Sequence, residues 1–82
     1  MKPLSVAEYG VSDLYLAAFL LTKGMRFLRI ERLSERDRKN RFIFEDRLDR
    51  EDMVRAFVAE GLVKVKDFRH ALDDLKALIH NW

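Results

Sequence analysis

Eight consecutive apolar residues, Leu14-Tyr15-Leu16-Ala17-Ala18-Phe19-Leu20-Leu21, lie between Ser12-Asp13 and Lys23-Gly24. The flanks are helix punctuation. Serine is a good N-cap, Asp13 suits the positive end of the helix dipole, and Gly24 is a natural stop with Lys23 in the last turn. A helix that is apolar all round must be covered on more than one side. It is far shorter than the roughly 20 residues that cross a bilayer. The chain has 82 residues, enough for one domain. A domain of that size buries only about 60% of its unfolded surface. Covering the first helix is therefore the main folding problem, and a second copy of the chain is one way to solve it.

The rest of the chain offers the following cover. Residues 1 to 11 read as extended, because Pro3 and Gly10 disfavour a helix; Tyr9 and Val11 can tuck into a core edge. Met25 to Leu33 reads as a strand with Leu28 and Ile30 on one face, and Phe27 among Met25, Arg29, Glu31 and Leu33 on the other. After the polar run from Ser34 to Asn40, Arg41-Phe42-Ile43-Phe44-Glu45 is a second strand, so the two form an antiparallel hairpin. The core face then pairs Leu28 and Ile30 with Phe42 and Phe44. Asp49 caps a second helix whose apolar stripe is Met53, Val54, Phe57 and Val58, and Gly61 ends it. Val65, Phe68, Leu72, Leu75 and Ile79 recur at helical spacing in a last helix. The expected fold is α+β: helix, antiparallel β-hairpin, helix, helix. It forms a single domain over 1–82, with 1–11 as an extended lead-in and 12–79 as the folded core.

Charged residues are 37% of the chain and hydrophobic residues 49%, a globular balance with a net charge of only +2. There is no cysteine, which removes disulfides and thiolate chemistry. His70 and His80 lie ten residues apart on one helix, about 15 Å along it, and cannot share an ion within one chain. The absence of glutamine, beside so much charge, is the composition expected of a thermophile. The start of the chain has no apolar signal region, so a cytoplasmic, non-membrane location is expected.

The block Ser12 to Leu21, the strand Arg41-Phe42-Ile43-Phe44-Glu45-Asp46, and Phe68, Ala71-Leu72 and Leu75 to Ile79 together resemble a family of short bacterial, phage or mobile-element proteins classed as a domain of unknown function. The shared positions are mainly apolar. The resemblance implies a small helix-hairpin-helix-helix domain and a phage or mobile-element origin. It brings no catalytic residues.

Three function classes compete. The acidic run Glu45-Asp46, Asp49, Glu51-Asp52 is the only candidate for a metal-dependent enzyme. Arg47 and Arg50 stand inside it, so a helix start favoured by the dipole is the simpler account. No enzyme, cofactor or metal site is expected. From Arg32 to Arg41 there are five cations, Arg32, Arg36, Arg38, Lys39 and Arg41, against Glu35 and Asp37, which leaves +3 on a hairpin tip able to clamp phosphates of nucleic acid. The third class is a protein-interaction module, a symmetric homodimer or a binder of another protein. Its expected interface is Leu14, Tyr15 and Phe19 of the first helix with Phe27 and Ile43 of the hairpin. This class is expected first and nucleic-acid binding second.

Overall fold

The apolar block folds as helix α1, Leu14–Thr22. Asp13, not the expected Ser12, is its N-cap: the carboxylate accepts the backbone N–H groups of Tyr15 at 2.8 Å and Leu16 at 3.1 Å. Aspartate supplies both the cap and the charge favoured at that end, so Ser12 is left outside. At the other end Gly24 stands at φ 95°, a conformation that side chains rarely adopt. Its N–H donates to the Leu21 carbonyl and that of Met25 to the Leu20 carbonyl, both at 3.1 Å. This double bond pattern ends the helix and turns Met25 into the core. The strand that alternation starts at Met25 therefore begins two residues later.

The structure, a computed structural model, describes residues 7–34, 39–59 and 61–80. In chain order the elements are β1 (Glu8–Val11), α1, β2 (Phe27–Ser34), β3 (Lys39–Glu45), α2 (Arg50–Ala59) and α3 (Val65–His80). The class is α+β. The strands form one antiparallel sheet in the order β1-β3-β2, so the expected hairpin has a third strand on its far side. That strand comes from the segment expected to be an extended lead-in, with Tyr9 opposite Phe44 and Val11 opposite Phe42.

The register of the hairpin also departs from simple alternation. Phe27, not Leu28, lies opposite Phe44, while Ile30 lies opposite Phe42. The strand bulges between Phe27 and Arg29, and again between Arg32 and Ser34. Residues three apart can share a face only if one extra residue is inserted between them, and the first bulge does that for Phe27 and Ile30. Phe27 consequently stands edge-on to Phe44, ring centroids 5.6 Å apart, instead of joining Ile43 on the opposite face.

Helices cover one side of the sheet. Val11, Phe42 and Phe44 enter one core cluster with Ala17, Ala18, Phe19 and Leu20 of α1 and with Ala71 and Leu75 of α3. The molecule is 18 Å thick along its shortest axis, the depth of one helix layer on one sheet. Helix α2 lies against α1 with the Phe57 ring 5.2 Å from that of Phe19, yet no residue of α2 is fully buried. No helix among the described residues is long and apolar enough to cross a membrane.

Candidate interaction surfaces

The sheet face away from the helices is built around Ile43, which is only 4% exposed although it stands outside the core cluster. Its cross-strand neighbours are Gly10 on β1 and Arg29 on β2. The Arg29 guanidinium crosses β3 to reach the far strand, donating to both carboxylate oxygens of Glu8 at 2.7 and 2.9 Å. It also donates to Glu31 at 2.9 and 3.2 Å. The Arg41 stem lies over Gly10: a Cβ there would meet its Cδ and, at 2.9 Å, its Cγ. Arginine stems thus shelter Ile43 while their heads stay in water. The hydrogen bonds from Arg29 hold the Glu8 carboxyl below its ordinary range, and those to Glu8 and then Glu31 push the Arg29 guanidinium up. Glu45 takes Arg26 at 3.7 Å.

The acidic run at the start of α2 is equally matched. Asp46 accepts from Arg50 Nε at 3.1 Å and from the Arg47 backbone N–H at 2.8 Å; the Arg50 bond, foremost, holds its carboxyl below the ordinary range. Arg50 also lies over the Tyr9 ring, 4.2 Å from its centroid, so this arginine ties α2 to β1. Asp49 pairs with Arg47 at 3.0 Å, and Glu51 and Asp52 face Arg55 at 3.8 and 3.7 Å. These carboxylates are shared among Arg47, Arg50 and Arg55, and among the described residues no three of them gather where they could hold a metal ion.

Of the cations expected to bind nucleic acid, Arg36 and Arg38 lie outside the described residues, and Lys39 is placed only as the first residue of β3. Arg32 and Arg41 are both exposed, opposite Asn40 and Glu31 respectively. Arg41 makes no ion pair among the described residues. The five residues expected at a protein interface do not form one exposed face. Phe19 and Ile43 are buried, Leu14 and Phe27 pack against the core half-buried, and Tyr15 alone projects. Alternation puts Phe27 beside Ile43, whereas the bulge in β2 turns it toward Phe44, and residues of the same chain cover much of α1.

A different apolar surface lies at the join of α2 and α3. Val58, Leu62 and Val65 are 79%, 71% and 81% exposed, and fall within one short stretch of chain. Half-buried Val54 and Phe57 precede them, and half-buried Val63 lies between the last two. Gly61, at φ 61° with its N–H on the Ala56 carbonyl, makes the turn. The sequence carries a signal for this surface: the connection from Glu60 to Lys64 places two adjacent aliphatic residues, Leu62 and Val63, between two helices, where solvated residues are usual.

With this geometry in place, the chain belongs to the family described as Domain of unknown function (DUF5659), whose model matches residues 6–81. No curated protein and no solved structure matches the chain.

Proposed function

We propose that this chain is a non-enzymatic protein-interaction module, and that Val58, Leu62 and Val65 form the surface it offers to another protein. The observation that supports this is their exposure. Three large aliphatic side chains stand more than two-thirds exposed around a single turn, next to a helix that buries nothing fully. Apolar side chains grouped in this way are characteristic of partner-facing surfaces, whereas scattered ones are not. The test is a V58D/L62D double variant, compared with the wild type after circular dichroism shows the same fold. A protein captured by the wild type and lost by the variant supports the reading. Equal capture by both, or capture by neither, overturns it.

Nucleic-acid binding at the tip of the hairpin is the second reading. The observation in its favour is the distribution of charge: Glu8, Glu31 and Glu45 on the sheet are engaged by Arg29 and Arg26, while Arg41 stays exposed and makes no ion pair among the described residues. If phosphates are the ligand, removing Arg36, Arg38 and Lys39 weakens binding on every sequence alike and flattens the salt dependence. Wild-type protein that shifts neither duplex DNA nor RNA at low salt ends this reading.

A further inference from the structure

We propose that the edge of β2, unpaired among the described residues, pairs with the β2 of a second copy, joining two three-stranded sheets into one of six strands. The surface is separate from the α2–α3 join, and the inference does not depend on the reading given for that join.

The backbone sets which groups face that edge. On the central strand the Glu45 N–H donates toward β2, to Arg26, and the Asp46 N–H toward β1, to Ala7, both at 2.9 Å. Direction alternates along an antiparallel strand, so Ile43 and Arg41 also turn toward β2 and Phe42 toward β1. Their partners follow. Arg29 and Glu31 turn inward to β3, and Ile30 between them sends its N–H and C=O outward to the unpaired edge. A two-fold axis through Ile30 places its outward N–H opposite the carbonyl of the partner's Ile30, and the reverse, which is the closed bond pair of an antiparallel ladder.

Side-chain charge selects the same register. Strand edges are commonly blunted by bulges and charges. Here the bulges flank a regular stretch, Arg29 to Arg32, and its charges alternate in sign. Centred on Ile30, antiparallel pairing sets Arg29 against the partner's Glu31 and Glu31 against the partner's Arg29. Arg29 and Glu31 already form one ion pair on the helix-free face, so the new pairs extend an existing row. A slip of one residue instead sets Arg29 against the partner's Arg32, like against like. The other free edge, on β1, is only four residues long and lacks such a pattern.

Sedimentation of the full chain over a concentration series tests the pairing. The wild type is expected to rise from 9.8 kDa toward twice that mass. Ile30→Pro removes an N–H that no bond inside the sheet uses, and is expected to stay at the single-chain mass with an unchanged circular dichroism spectrum. Glu31→Arg sets like charges across the axis twice and is expected to weaken association on the order of tenfold. It decides the matter alone should the proline variant not fold. A wild type at 9.8 kDa at every concentration overturns the proposal. So does association at wild-type strength in both edge variants. V58D/L62D is expected to associate normally, which separates this surface from the α2–α3 join.

Discussion

Phe44 sits where the three strands and the helix layer meet. It is fully buried, opposite Tyr9 on one side and Phe27 on the other. Phe44→Ala leaves a cavity in the core and is expected to cost about 3–5 kcal/mol, read as a shift in the urea midpoint. A loss below about 1 kcal/mol places the ring at the surface, contrary to the structure. Its alternation with Phe42 was readable from sequence, but the partner was not: Phe27 takes the place that strict alternation gave to Leu28. Charge at single residues leads to a second prediction. The carboxyls of Glu8 and Asp46 are held below ordinary values of 4.5 and 3.8, each mainly by an arginine hydrogen bond. In that window the unfolded chain binds more protons than the folded one, so stability falls on acidification. The contribution is complete above about pH 5 and drains away as pH drops through the lowered values. It is small, because both pairs are largely in water. An E8Q/D46N double variant is expected to flatten the acid limb of a stability–pH curve measured in urea, leaving the neutral-pH form of the curve unchanged.

Among the elements, α2 differs from its neighbours in how it is held. α1 keeps Ala17 to Leu20 out of water and α3 buries Ala71 and Leu75, but α2 relies on half-buried Met53, Val54 and Phe57 and on the Arg50 tie to Asp46 and Tyr9. Elements with little buried apolar surface open at lowest free energy. Amide exchange is therefore expected to release α2 first, well before α1 and β3, and Arg50→Ala to hasten that release without changing α1. Uniform protection across the three elements contradicts this order. The elements themselves were legible to different degrees. Helix α1 lies between a capping Asp13 and Gly24, α2 runs up to Gly61, and α3 repeats its apolar residues at helical spacing, all local signals. The bulges of β2 are invisible to a period-two pattern, because an inserted residue breaks the period that reveals the strand. β1 has four residues with Gly10 among them, and its pairing with β3 is decided by residues more than thirty positions away.

At the scale of the molecule, the cover for α1 comes from within one chain. Phe42 and Phe44 approach from the sheet, Ala71 and Leu75 from α3, and Phe57 from α2. That removes the uncovered helix as a reason to expect a dimer and leaves a free strand edge as the reason instead. The surfaces were harder to read than the core. Composition identifies which side chains are apolar, but only the fold decides that Ile43 goes under arginine stems while Val58 is left in water. The same packing makes β1 part of the folded unit. It supplies Val11 to the core, Glu8 to Arg29, Tyr9 to Arg50, and a second bonded neighbour to the central strand. A chain starting at residue 12 keeps all three helices and the hairpin, yet its sheet has two strands, an arrangement of marginal stability. It also exposes the edge of β3 beside Phe42 and Phe44. Deleting residues 1–11 is therefore expected to cost more than the roughly 3–5 kcal/mol of one large core truncation. Against the modest stability of a domain this small, that is enough to remove the cooperative transition. Thermal and urea unfolding followed by circular dichroism check this. A truncated chain that unfolds at the wild-type midpoint shows that the hairpin and helices hold the core without β1.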